Sequence, residues 1–149
     1  MECTISFKVC FSGDSGVGKS SIIKRYSNNI MEPENPCIID DNITSTIGVD
    51  YVTIKKEYKL NDTEKCDIRL SIWDTGGQER FNSICNIYYR DISCAIIVFD
   101  LSNPESINCI KTYIERIKAI NKDNPFLLYV ILGNKKDLKT NDINFNDKT

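Results

Sequence analysis

The most constraining stretch of this chain is Gly13-Asp14-Ser15-Gly16-Val17-Gly18-Lys19-Ser20, which fits the pattern G-x-x-x-x-G-K-[ST]. An apolar run, Ile5 to Ser12, leads into it. Lys19 to Tyr26 follows, with Ile22, Ile23 and Tyr26 at helical spacing. The glycines let the backbone fold tightly, so that consecutive N–H groups point at one anion. The helix behind the loop adds the positive end of its dipole. Strand, glycine loop and helix in that order predict phosphate binding, with Lys19 reaching the β- and γ-phosphates and the Ser20 hydroxyl offered to Mg²⁺. The loop by itself leaves ATP and GTP, and kinase and hydrolase, open.

The rest of the chain alternates strand and helix, which predicts an α/β fold with a mainly parallel sheet. Asn28 to Ser45 is polar, contains Pro33 and Pro36, and reads as a long loop. Val49 to Leu60 and Asp67 to Asp74 read as an antiparallel hairpin, with Val52, Ile54, Tyr58 and Leu60 on one face of the first strand and Ile68, Leu70 and Ile72 on one face of the second. Cys94 to Phe99 is continuously apolar, as in a strand covered on both faces. Ser102-Asn103-Pro104 opens a helix with Ile107, Ile110, Ile114 and Ile117 as its apolar stripe, and Phe126 to Leu132 reads as another buried strand. No internal repeat or linker divides residues 1–149, so one domain is expected.

A net charge of −2 gives no general attraction to nucleic acid or anionic membranes, so anion binding must come from local geometry. The N-terminus lacks a basic region and an apolar run, and no stretch approaches a membrane span. Glu2 excludes an N-terminal glycine for myristoylation. The seven cysteines form no C-x-x-C pair, and the chain has no histidine; reduced cytosolic thiols are expected.

Two further segments carry chemistry. Trp73-Asp74-Thr75-Gly76-Gly77-Gln78-Glu79 ends a strand. A carboxylate at Asp74 can hold magnesium through water, Gly77 can bring a backbone N–H close to a γ-phosphate, and Gln78 can orient a water for in-line attack. Asn134-Lys135-Lys136-Asp137 follows the last apolar strand. The Asp137 carboxylate can accept the N1–H and 2-amino hydrogens of guanine, which adenine lacks, and such a site can discriminate by about 10⁴–10⁵. The Lys135 stem would cover the ring, and Asn134 would brace the neighbouring loops.

With these motifs in order, the chain resembles the small GTPases, and within them the Rab family. The resemblance rests on Thr46-Ile47-Gly48-Val49-Asp50-Tyr51, the run from Trp73 to Phe81, Tyr88-Tyr89-Arg90 and Ile97-Val98-Phe99-Asp100, and runs from about Phe7 to Leu138. It implies a three-layer P-loop NTPase fold and a GTP/GDP switch that hydrolyses GTP in vesicle trafficking. It further implies Thr46 as a magnesium ligand that senses the γ-phosphate, and Tyr51, Trp73 and Tyr88 as an aromatic patch read by effectors. An exchange factor, an activating protein and effectors are the implied partners, and the cytoplasm or the cytosolic face of endomembranes the implied location.

The chain departs from the family pattern in four places. Gly76 stands where Rabs have Ala, Asp91 where they have Gly, and the stretch from Ser20 to Thr46 is longer than theirs, placing Ile39 where the family packs an aromatic on the guanine face. The chain also ends soon after Asp137, so the family's sixth strand, closing helix and prenylated cysteine are expected to be missing. The loop from Asn28 to Ser45 has no Arg, so slow intrinsic hydrolysis is expected, with an arginine supplied in trans. Two readings stand against the switch: a non-catalytic nucleotide- or regulator-binding fragment, and a P-loop ATPase or kinase. The kinase reading calls for clustered arginines, whereas those here lie apart at 25, 69, 80, 90 and 116.

Overall fold

The computed structural model describes residues 3–31, 49–59, 65–76 and 86–138. Within them run strand β1 (Cys3–Ser12), helix α1 (Lys19–Met31), strands β2 (Val49–Lys59) and β3 (Lys65–Thr75), the short helix α2 (Asn86–Tyr89), strand β4 (Cys94–Asp100), helix α3 (Cys109–Ile120) and strand β5 (Leu128–Asn134). The strands form one sheet in the order β2-β3-β1-β4-β5. β2 pairs antiparallel with β3, and every other pairing is parallel. This is the expected α/β sheet with its single antiparallel strand.

Alternation along the strands sorts side chains onto two faces. Phe11, Ile54, Ile72 and Val98 turn to one face, where Val17 from the loop and Ile23 from α1 pack on them. Cys10 and Ala95 turn to the other, against Tyr89 of α2, Ile92 and Ile117 of α3. Helix, sheet and helix therefore make three layers, and β4 is covered on both faces, with Ala95, Ile97 and Val98 fully buried. The hairpin register puts Val52 beside Ile72 and Ile54 beside Leu70, as their common parity requires.

Three expectations are corrected. Helix α1 runs on to Met31, into the stretch read as loop from Asn28. Tyr26 lies on its exposed side rather than on its apolar stripe. The run from Phe126 to Leu132 is not a buried strand: β5 begins at Leu128 and forms the sheet edge, leaving Phe126, Leu128 and Ile131 largely exposed. Apolarity alone cannot tell an edge from a centre, because that depends on which strand lies outside it. The helix signalled at Ser102-Asn103-Pro104 does start there, but as a 3₁₀ turn over Pro104–Asn108 that leads into α3. Asn103 caps that turn by accepting from the Glu105 N–H at 3.2 Å. Tyr113, absent from the isoleucine stripe, is as buried as Ile117.

Among the described residues Cys10, Cys66, Cys94 and Cys109 remain thiols, and no helix is long and apolar enough to cross a membrane.

Candidate functional site

The chemistry-bearing residues gather at the C-terminal ends of the parallel strands. The loop Gly13–Ser20 leaves β1, Asp74 lies at the end of β3, Asp100 at the end of β4, and Asn134 at the end of β5. In open α/β sheets that end is where ligands bind.

Sequence and backbone agree closely in the loop. Gly13 has φ +137°, and a Cβ there would meet the Val98 carbonyl oxygen at 2.1 Å. Gly18 has φ +98°, and its Cβ would meet Asn134 Nδ2 at 2.2 Å. Gly13 therefore requires glycine for two reasons, conformation and space against strand backbone, whereas at Gly18 conformation is the main one, since its near neighbour is the end of a side chain. Val17 between them is buried in the core and anchors the loop, while Ser15 and Gly16 stay exposed at its tip. Lys19 is buried and curls back, donating to the Gly13 carbonyl at 2.7 Å and the Asp14 carbonyl at 3.0 Å. An ammonium thus stands at the centre of a loop whose amides can face an anion.

The Ser20 hydroxyl donates to Asp74 Oδ2. Asp74 is buried at the end of β3, and its neighbour Thr75 donates to the Phe11 carbonyl at 2.9 Å, tying β3 to the root of the loop. A hydroxyl and a carboxylate in contact form the hard-oxygen donor set that suits Mg²⁺, which commonly takes one or two protein oxygens and completes its shell with phosphate and water. Among the described residues no group of three or more His, Cys, Asp or Glu side chains gathers, and magnesium bound with phosphates needs none.

Asn134 Nδ2 donates to the Val17 carbonyl at 2.9 Å, joining the end of β5 to the phosphate loop. Lys135 follows with a left-handed backbone, φ +58°, and its Nζ lies 2.7 Å from Asp100 Oδ2. Asp137 is exposed in a 3₁₀ turn over Lys136–Leu138, which the Leu138 N–H closes by donating to the Lys135 carbonyl at 3.0 Å.

Tyr51, Trp73 and Tyr88 make a row. The Tyr51 and Trp73 ring centroids lie 5.0 Å apart, those of Trp73 and Tyr88 5.6 Å apart, and Lys8 Nζ lies 5.1 Å from the Trp73 centroid. Burial lowers the affinity of the Lys8 amine for its proton, partly offset by Cys10 and Asp91.

The structure thus brings together Gly13, Asp14, Ser15, Gly16, Val17, Gly18, Lys19, Ser20, Asp74 and Asn134, with Lys135 and Asp137 on the adjoining rim. Thr46, Gly77 and Gln78 lie outside the described residues, as does Ile39. Two neighbours were not singled out from sequence. Asp100 is one. Cys109, at the start of α3, is the other: burial pushes its thiol above the usual value, and the charge of Asp14 in the loop adds to that. A polar residue closing an apolar strand, as Asp100 closes Cys94–Phe99, was the available signal for the first. Cys109 had none, because only the fold sets α3 beside the loop.

The family model described as Roc, Ras of Complex, domain of DAPkinase, matches residues 8–137. The chain is 37% identical over 131 residues to the Ras-related protein Rab-22A of Homo sapiens, covering 88% of this chain and 60% of that protein. It is 34% identical over 138 residues to the Ras-related protein RabC of Dictyostelium discoideum, covering 93% and 64%. It is 39% identical over 139 residues to the GTP-binding protein YPTM2 of Zea mays, covering 92% and 60%. The chain therefore spans 60–64% of the length of these curated relatives.

Proposed function

From the premise that this chain belongs to the Roc/Ras superfamily of GTPase domains, we propose that it is a guanine-nucleotide switch of Rab type that hydrolyses GTP slowly unless a partner assists. The observation that supports the reading is the bond from Asn134 Nδ2 to the Val17 carbonyl, which joins the Asn134–Asp137 segment to the Gly13–Ser20 loop.

The loop amides and Lys19 bind the β- and γ-phosphates; an entering phosphate takes the Lys19 donors now given to Gly13 and Asp14. Ser20 and Asp74 would hold magnesium, Asp74 through water, with Thr46 as a further ligand. Magnesium bound there neutralises charge on the transferring phosphoryl group. Asp137 accepts from the guanine edge, and Lys135 covers the ring. Gln78 orients the attacking water, and Gly77 donates its N–H to the γ-phosphate. Loss of the γ-phosphate releases the segments around Thr46 and Gln78 and changes which partners bind, with Tyr51, Trp73 and Tyr88 as the surface they read. The YPTM2 relative is itself named a GTP-binding protein. Action on the cytosolic face of endomembranes, in vesicle trafficking with an exchange factor, an activating protein and effectors, extends the same reading.

The test is binding of fluorescent GDP to the purified chain with magnesium, competed by unlabelled GTP, GDP and ATP. Displacement by guanine nucleotides alone, with phosphate release from GTP near the ~10⁻⁴ s⁻¹ scale of an unassisted small GTPase, is the expected result. Displacement by ATP would overturn the base specificity. Guanine binding with no turnover, even with an activating protein added, would reduce the chain to a binding module.

A further inference from the structure

We infer that Asp100 is a positioning residue for the guanine site, acting by holding the Lys135 side chain in place along its rim; the inference rests on the guanine-binding reading above. Asp100 ends β4 directly opposite Asn134 in the parallel register, and the Leu101 N–H donates to the Asn134 carbonyl at 2.9 Å. The two backbones are thus locked together one residue before Lys135. Lys135 then turns left-handed, and its ammonium reaches across to Asp100 Oδ2 at 2.7 Å.

The carboxylate is itself held firmly. Oδ1 accepts from the Ser102 N–H at 2.8 Å and from the Ser102 hydroxyl at 2.6 Å. The Ser106 hydroxyl accepts from the Asp100 N–H at 2.9 Å and lies 3.1 Å from its carbonyl oxygen. The Asp100 side chain is 11% exposed and that of Lys135 31%, so solvent screens the contact only in part. A lysine stem has four rotatable carbons and costs much rotamer entropy to order. Here that ordering precedes the ligand, because an ion pair with a rigid carboxylate has already fixed the far end of the stem. Lys135 lies between Asn134, which bonds to the loop, and Asp137, which in the reading above accepts from the base edge. A fixed stem at that position slows nucleotide escape more than it alters encounter.

The substitution Asp100→Asn isolates the charge, since the amide oxygen can still accept from Ser102. Labelled GDP is loaded onto the full chain and chased with unlabelled GDP, for the unaltered protein, Asp100→Asn, Lys135→Met and the double variant. The expected result is a rise in dissociation rate on the order of tenfold for Asp100→Asn, with the double variant no faster than Lys135→Met alone. Asp100→Glu, which keeps the charge one methylene further out, should fall between the unaltered chain and Asp100→Asn, and it replaces Asp100→Asn in the cycle if the latter does not fold. A rate within twofold of the unaltered chain, or effects that multiply in the double variant, overturns the inference: Asp100 would then only shape the Ser102 turn. Failure of guanine nucleotides to displace label from the unaltered chain overturns the functional reading, and this inference with it.

Discussion

Asn134 Nδ2 and the Val17 carbonyl oxygen, 2.9 Å apart, join two segments separated by 117 positions in sequence. Val17 is packed into the core with Phe11, Ile23 and Val98, so the bond ties the Asn134–Asp137 segment to a core-packed residue of the Gly13–Ser20 loop. Removing the amide leaves a half-buried carbonyl short of a donor. Asn134→Ala should therefore lower unfolding free energy by about 1–2 kcal/mol and speed GDP release. Chemical denaturation with and without GDP measures both: the deficit should widen when nucleotide is present, since the variant loses binding as well as the bond.

Glycines 13 and 16 offer an internal control on the loop. Both have positive φ, but a Cβ at Gly13 would meet the Val98 carbonyl oxygen at 2.1 Å, whereas one at Gly16 would meet none of the described residues within 4 Å. Gly16→Ala should cost about 1–2 kcal/mol, the conformational penalty alone. Gly13→Ala adds a clash with strand backbone that cannot move without breaking the sheet, and should cost roughly 3 kcal/mol or more. Urea unfolding of the two variants side by side settles it; equal losses would mean that the steric contact contributes nothing.

Much of this could be read from the sequence, because the motifs are local. The loop glycines, the hairpin parity of Val52, Ile54, Leu70 and Ile72, and the apolar run of β4 follow from spacing alone. What stayed hidden depends on pairing between distant segments. The parallel register that sets Asp100 opposite Asn134 has no sequence signature, so the Lys135–Asp100 pair was invisible although both residues lie in segments that were noticed. The exposure of Leu128 and Ile131 has a related cause: a strand at the sheet edge and one at its centre carry the same apolar run, so the run alone reads as buried.

Ser12 and Tyr89 form a second long-range contact, and both are completely buried. The Ser12 hydroxyl donates to the Tyr89 hydroxyl at 3.2 Å, linking the root of the phosphate loop to the end of α2. Tyr89→Phe keeps the ring packed on Ile92 and Ile117 but leaves the serine hydroxyl without that acceptor, at a cost of about 1–2 kcal/mol. Ser12→Ala in the same chain should return part of the loss, because no buried hydroxyl is then left waiting. A double variant as weak as the sum of the two single ones would show that the hydroxyls do not interact energetically.

The Lys135–Asp100 pair also predicts a pH dependence whose sign is fixed. Burial of Asp100 works to raise its carboxyl pKa, but the Lys135 ammonium and the Ser102 bonds outweigh it and hold the group below its usual value. The unfolded chain therefore takes up this proton first as pH falls. The group's contribution to stability is complete above the ordinary carboxylate value of about 3.9 and is lost as pH drops through the lower folded value. The difference in unfolding free energy between the unaltered chain and Asp100→Asn should stay level from about pH 8 to pH 6 and shrink below about pH 4. Other carboxylates titrate in both proteins and cancel in the difference. A difference that stays constant into strong acid would mean that the aspartate contributes shape and hydrogen bonds at this corner, but no charge.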